Sequence, residues 1–480
     1  MTKPLLLFSQ GDVYNSLLIA EHLVPVFEKD YNIIFITPES ETVAEKCKSH
    51  KIILHQISQS EYDEIETQME LFEKLSQIEG ELGYPIQKIL FADPEFYKFY
   101  RKNKLKSLKI FIKMYNAYKE IIEKNDIRIH LTFGEDRIYT LIPHFLLKKR
   151  NGESYLLRIV PYYGLIFTTD FFGTFNKKIL ITEKFNINYE KYLNSMLNSS
   201  VYFSSDIINK INFNKYRNTS VLFKRLREIS TLNRENKKTF YYKRTNLSLI
   251  KIALAKPCKY FEKIKIFFLD LLLYDTLKPD KKYIYYPLHY TDDAQIRLKF
   301  PEEYNQYEFI RNIAKNLPIN FSLLVKEHPA FVGNYSLTEL YNLSKHPNII
   351  VLNPRVSSKQ IFNLINYVIT INSTVGYEAL FFKKLVLRLG NAFYNDFPGV
   401  ININGISNLY NILQNEQLLT YQRIILEENL EEKTMDLLQR SMEFDYQNFY
   451  KEGNMEKFLT LFKYYTNAIT DDEEHLRKRF

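Results

Sequence analysis

The sequence predicts an α/β protein of two doubly wound, Rossmann-like domains with a central cleft and a helical middle segment. Three observations predict it. Short apolar, β-rich runs alternate with helical stretches towards both ends of the chain, at the spacing of βαβ units. Between them, residues 183–280 contain no glycine and are rich in Asn, Lys and Tyr. Several of the β-like runs also break off into polar residues where a helix begins, as the carboxyl ends of parallel strands do. At 480 residues the chain is long for one core, and a soft prior of about 150 residues per domain gives two or three units.

The elements follow in order. Residues 5–8 read as a strand, Ser9-Gln10-Gly11-Asp12 as a turn, 14–28 as a helix and 31–37 as the next strand, which completes a βαβ unit. Residues 58–124 are charged and mostly helical, and 127–133 form another strand that ends in Gly134-Glu135-Asp136-Arg137. Runs 155–160 and 178–181 complete a first unit over 1–182. A basic connecting segment, 183–280, contains a long amphipathic run over 247–274 that Pro257 should kink. Strands at 282–287, 322–325, 349–352, 367–371 and 385–389 alternate with helices at 304–315, 337–343, 358–365 and 375–382, giving a second parallel unit over 281–405. Residues 406–480 read as helices that return to the first unit, with a charged tail.

Composition narrows the class. Hydrophobic residues at 45% and charged residues at 25% fit a globular protein. The apolar run in MTKPLLLFSQGD is too short for a signal peptide, and no stretch approaches the roughly 20 apolar residues of a spanning helix. A cytoplasmic location is expected. Cys47 and Cys258 have no zinc or redox spacing and suit a reducing compartment. The net charge of +9 favours anionic partners: phosphorylated substrates, an anionic membrane surface or nucleic acid. No nucleic-acid recognition motif accompanies the basic residues, so nucleic acid is not expected. The stretch KYFEKIKIFFLDLLLY within 247–274 fits two readings, a helix lying on the inner face of a membrane or an arm packed between domains.

Two segments carry most of the candidate chemistry. FSLLVKEHP (321–329) delivers Lys326, Glu327, His328 and Pro329 to a strand end, and YVITINSTVGYEAL (367–380) delivers Ser373 and Thr374 to a helix start. His328 can donate a hydrogen bond to a phosphate oxygen, while Ser373 and Thr374 suit both a phosphate and an ordinary helix N-cap. Gly376 is expected to let a ligand approach the backbone closely, and Glu378 reads either as a ligand contact or as a solvated helix residue. His289 and Asp292-Asp293 follow the first strand of the second unit and can face the same cleft. Across it, Glu135 and Asp136 are the candidate general bases, because adjacent carboxylates in a partly buried loop raise each other's pKa. Arg137 can hold an anionic acceptor, or pair with an acid. No Asp-x-Asp, zinc-spaced His/Cys cluster or Gly-rich P-loop occurs, so no metal and no cofactor is expected.

The strings YYPLHYTDDA (285–294), VKEHP (325–329) and INSTVGYEAL (371–380), followed by LGNAFY (389–394), resemble the bacterial capsule polysaccharide synthesis family, chiefly over 280–400. Its relatives include Kdo transferases and, more distantly, sialyltransferases. The resemblance implies a GT-B-like glycosyltransferase that passes a sugar from a nucleotide donor, CMP-linked and sialic acid- or Kdo-like, to a surface polysaccharide or glycolipid. In such enzymes a His-Pro motif and a later Ser-Ser or Ser-Thr motif hold the donor phosphate. His328-Pro329 and Ser373-Thr374 match them. Glu378-Ala379 resembles the Glu-Ala pair whose glutamate accepts hydrogen bonds from ribose hydroxyls. Two departures stand out: Thr291-Asp292-Asp293 replaces the family's Pro-Glu after its His-Tyr, and Gly134 precedes the acidic pair where the sialyltransferases place a glycine after it. A CDP-glycerol-type phosphotransferase, a UDP-sugar-dependent GT-B transferase, a nucleotide-sugar 2-epimerase and a non-catalytic capsule assembly scaffold are the alternatives.

Overall fold

The structure, a computed structural model, describes residues 3–58, 64–65, 67–169, 188–198, 281–289, 294–300, 305–328, 335–354, 356–444 and 452–477. The runs at 178–181 and 247–274 lie outside them, as do Cys258, Asp292, Asp293 and Pro329. The first sheet contains Leu5–Ser9 (β1), Asn32–Pro38 (β2), Ile52–Ile57 (β3), Ile129–Thr132 (β4), Glu153–Val160 (β5) and Gly164–Thr168 (β6). The second contains Lys282–Pro287 (β7), Phe321–Lys326 (β8), Ile349–Leu352 (β9), Tyr367–Thr370 (β10), Leu385–Arg388 (β11) and Val400–Asn402 (β12). A two-residue strand, Met442–Glu443 (β13), joins the first sheet beside β6.

Both sheets are doubly wound. The second runs β12-β11-β10-β7-β8-β9 with every pairing parallel. The first runs β13-β6-β5-β4-β1-β2-β3, parallel from β5 to β3 and antiparallel at β6 and β13. Strand order reverses between β1 and β4 in one sheet and between β7 and β10 in the other, which opens a crevice at the carboxyl ends of those strands. The central strands are buried along nearly their whole length, so they read as continuous apolar runs rather than alternating ones.

The sequence-predicted strands of the described regions are present, each within a few residues of its expected span. Four were not anticipated: β3, β6, β12 and β13. β3 is an edge strand with Ile53 49% exposed, and its apolar signal is correspondingly broken. The first helix, Val13–Leu18, passes through a wider turn at Ile19–Leu23 before Val24–Phe27. Pro25 there has no N–H to give the preceding turn, which accounts for the change of pitch.

The final helix, Glu452–Arg477, does return to the first unit. Phe458 meets Phe27 and Phe167 at ring-centroid distances of 5.7 and 5.5 Å, Phe462 meets Tyr155 at 5.3 Å, and the Tyr31 and Thr466 hydroxyls are 2.8 Å apart. Gly164 is required where this region closes, because a Cβ would overlap the Met442 carbonyl on β13.

The carboxyl edges of the two sheets face one another. Lys299, soon after β7, pairs with Glu135, which follows β4, and Lys359, at the start of the helix after β9, lies 5.6 Å from the ring of Tyr162 in the β5–β6 turn. Arg297 reaches the first unit too: its Nε donates to the Phe91 carbonyl at 2.8 Å, and its guanidinium stacks 4.3 Å from the Phe91 ring. Helix Tyr189–Asn198 bridges the units through Tyr192, whose ring packs on Tyr163 and Phe381 and whose hydroxyl is 3.1 Å from that of Tyr377.

Candidate active site

The second sheet's switch point gathers the phosphate candidates. Ser373 caps the helix Thr374–Phe381: its Oγ accepts from the Val375 N–H at 3.2 Å, and its own N–H is held by Thr370 Oγ1 at 3.0 Å. Both readings of this serine therefore coexist, a cap that also sits where the helix presents its positive end. His289, just past β7, is 7% exposed, and its backbone is fixed by Gln306 and by the Tyr335 hydroxyl. Its Nε2 is buried without a hydrogen-bond partner among the described residues. Burial first, and the neighbouring His328 second, lower its pKa to about 4, so the ring is neutral near pH 7. A buried imidazole nitrogen with no partner among the described residues makes His289 a candidate ligand contact at the switch point.

His328 follows β8 and is exposed, yet the crowding of its ring and the charge of Lys326 hold it below the ordinary histidine range. Glu327 is buried and accepts the Tyr335 N–H at 3.3 Å, which ties the ends of β8 and β7 together.

Two predicted contacts take different roles. Lys326 turns inward: its Nζ donates to the Val356 carbonyl at 2.9 Å, with Ser358 Oγ at 3.5 Å, and burial lowers its pKa to about 8 against the opposing pull of Glu378. It braces the loop after β9 rather than standing open to a phosphate. Gly376 is buried, and a Cβ there would lie 2.5 Å from the Tyr394 hydroxyl and 3.0 Å from Thr370 Cγ2. Packing against Tyr394 is by itself enough to require glycine there. Glu378, half-buried, has its pKa raised to about 7 by burial, against the charges of Lys359 and Lys326.

The first sheet's switch point separates the two carboxylates. Burial alone would raise the pKa of Glu135, but Arg158 and Lys299 outweigh it and leave the group below the ordinary range. Asp136 goes the other way. Burial, reinforced by Asp93 and Glu135 and opposed by Arg137, raises it to about 7. Glu135 is therefore a pinned anion and a poor base, and Asp136 is the carboxylate poised to exchange a proton near neutrality.

Arg137 is 3% exposed and is taken up by the protein. Its Nη1 donates to Asp93 Oδ1 at 2.9 Å, and its Nε lies 3.5 Å from Asp136. Asp93 caps helix Pro94–Lys102 through the Glu95 and Phe96 amides and accepts the Ile138 N–H at 3.2 Å, where helix Ile138–Lys149 begins. One buried aspartate thus serves two helix starts and an arginine, and Arg137 is a structural partner, not an acceptor contact. Asp12 likewise caps its own helix through the Asn15 N–H at 2.8 Å.

Sequence reasoning did not find Asp93, Arg158, Lys299, Lys359 or Tyr162. The Asp93-Pro94 pair was a readable cap signal; the others meet their partners only through the tertiary fold. Among the described residues no group of three or more His, Cys, Asp or Glu side chains is placed to hold a metal, and no helix is long and apolar enough to cross a membrane.

Residues 193–416 match the family model described as capsule polysaccharide biosynthesis protein. That region contains all three motifs that carry the resemblance read from the sequence. A stretch of 130 residues is 32% identical to Protein FixF of Sinorhizobium fredii (strain NBRC 101917 / NGR234), over 26% of this chain and 31% of that protein. The chain thus spans about a third of that relative's length. Among solved structures, the beta Kdo 2,7 transferase KpsC of Thermosulfurimonas dismutans is 16% identical over 65% of this chain and 79% of that chain, with a TM-score of 0.30. A putative UDP-N-acetylglucosamine 2-epimerase from Listeria monocytogenes is 13% identical over 96% of this chain and 95% of that chain, with a TM-score of 0.23.

Proposed function

We propose, with the match of residues 193–416 to the capsule polysaccharide biosynthesis family model as premise, that the chain is a metal-independent glycosyltransferase building a bacterial surface polysaccharide or glycolipid. The donor is a nucleotide sugar, CMP-linked and sialic acid- or Kdo-like, and the acceptor is a glycan or a lipid-linked glycan. One observation carries the reading: two switch points face each other, one with an orphaned His289 nitrogen beside a capped helix start, the other with an aspartic acid whose pKa is about 7.

In this reading the donor phosphate lies at Ser373, Thr374 and the helix N-terminus, with His289 and His328 as hydrogen-bonding neighbours, and Glu378 accepts from the ribose hydroxyls. The acceptor hydroxyl donates to Asp136. As its oxygen bonds to the anomeric carbon, its proton passes to the Asp136 carboxylate. The bond from that carbon to the phosphate oxygen breaks, and its electron pair leaves with the nucleotide. The helix terminus and the histidine hydrogen bonds meet the charge that develops there. Asp136 fits the base role because a group that titrates near the working pH is both available as carboxylate and strong enough to take the proton.

Purified protein incubated with CMP-, UDP- and GDP-sugars, with and without an acceptor glycan, tests the proposal through nucleotide release. Release from CMP-sugars alone supports it. Release only from UDP-sugars removes the CMP assignment and keeps the transferase, and glycan binding without any release removes the enzyme. The proposal extends to peripheral attachment at an anionic membrane face, supported by the +9 net charge and the Lys-flanked aromatics of 247–274.

A further inference from the structure

The β5–β6 turn contains an unusual residue. Val160 accepts the Tyr163 N–H at 3.2 Å, which closes a β-turn with Pro161 second and Tyr162 third. Tyr162 has φ +58°. Pro at the second place and a left-handed third residue form a turn in which glycine or asparagine normally takes the third place. A tyrosine there is strained, and such strain persists where the surroundings use the side chain.

The side chain is used across the cleft. Tyr162 is partly buried against the main core, its ring lies 5.6 Å from Lys359 Nζ, and the charge of Glu378 acts on its hydroxyl. Lys359 and Glu378 belong to the second unit, as do Ser358, which hydrogen-bonds the buried Tyr285 hydroxyl, and the loop that Lys326 braces. Tyr162 is thus a first-domain aromatic held at the rim of the site where the second domain is read to hold its nucleotide.

We propose that Tyr162 is a donor-positioning residue. Its ring, presented by a strained turn of the first domain, packs over Lys359 and encloses the nucleoside part of the bound nucleotide between the domains. The proposal rests on the donor-site reading above and adds to it that neither domain alone makes a complete nucleotide site. Aromatic rings suit this role because they supply a flat apolar face to a base or ribose and a favourable face to a cation.

The test is Tyr162→Gly, which removes the ring and suits the left-handed backbone, with Tyr162→Phe keeping the ring and Ser373→Ala as a separate probe of the phosphate grip. Titration calorimetry with CMP, CDP and UDP measures binding without turnover, and thermal melting reports folding. Tyr162→Gly is expected to stay folded, the relieved left-handed strain offsetting part of the lost ring packing, yet bind the preferred nucleotide about five- to tenfold more weakly, with the donor KM rising in parallel. Tyr162→Phe should bind like wild type. Wild-type affinity in Tyr162→Gly, with weakened binding in Ser373→Ala, overturns the role of Tyr162 and leaves the donor site in place. No binding of any of these nucleotides by the wild-type protein overturns the donor-site reading and this proposal with it.

Discussion

Replacing Asp136 by Asn tests the assignment of the base through stability and activity together. Asp136 is 13% exposed at its side chain, and its pKa is raised from 3.8 to about 7. A carboxylic acid with a raised folded-state pKa binds its proton more tightly folded than unfolded. Between pH 4 and 7 the folded state therefore holds the extra proton, and this group's contribution to stability falls as pH rises through that window and is flat above it. The full shift, which already includes the opposing pull of Arg137, corresponds to about 4 kcal/mol, and solvent at the partly exposed side chain brings the working value to about 2 kcal/mol. Asn carries no charge to bury. Asp136→Asn should match wild type near pH 4 and exceed it by that amount at pH 8, read as the difference in urea midpoints across pH. Over the same range the wild-type kcat/KM should climb with pH through about 7 to a plateau, and the variant should lose at least a hundredfold in turnover. A variant no more stable than wild type at pH 8, or one that keeps full turnover, would refute the placement of a buried, proton-exchanging acid at this position.

Three further outcomes follow. Asp93→Ala removes the closer of the two carboxylates that hold buried Arg137 and uncaps two helix starts, so denaturant unfolding should show a loss of about 3–5 kcal/mol; a loss below 1 kcal/mol would mean that solvent reaches this pair. His328→Ala should lower turnover roughly ten- to a thousandfold and Ser373→Ala less, with the latter also losing about 1 kcal/mol of stability as a helix cap; full activity in both folded variants would remove the phosphate site. Nucleotide release should persist unchanged in excess EDTA, whereas loss that added magnesium or manganese restores would show that a divalent ion takes part.

The second sheet was the more legible half because its strands are buried on both faces and end at turn-forming residues, so apolar run and break coincide at VKEHP and INSTVG. β3 and β6 escaped for opposite reasons: one is an edge strand with none of its residues fully buried, the other follows β5 after only three residues and merges with it in the pattern. The candidate site split in the same way. Residue types pointed to the Glu135-Asp136 pair, but what divides the two is a ring of charges drawn from distant parts of the chain. Arg158 and Lys299 pin one, while Asp93 adds its charge to the other. A linear sequence does not carry that sorting. Gly376 and Lys326 have structural partners that the sequence did not reveal, since Tyr394 and the Val356 carbonyl come to them only in the folded sheet.

The packing of Phe458, Phe462 and Tyr465 against Tyr155 and Phe167 has a consequence for synthesis. β7–β12 and their helices between residues 282 and 402 form a continuous stretch that can close its sheet as soon as it clears the ribosome. The earlier-made strands of the first sheet must wait, because a wall of their core is translated some three hundred residues later. During that interval β5 and β6 leave an aromatic surface uncovered, and transiently exposed apolar surface of this kind is prone to aggregate. A nascent chain with residues up to 444 outside the ribosome would hold a finished second domain and an unfinished first one.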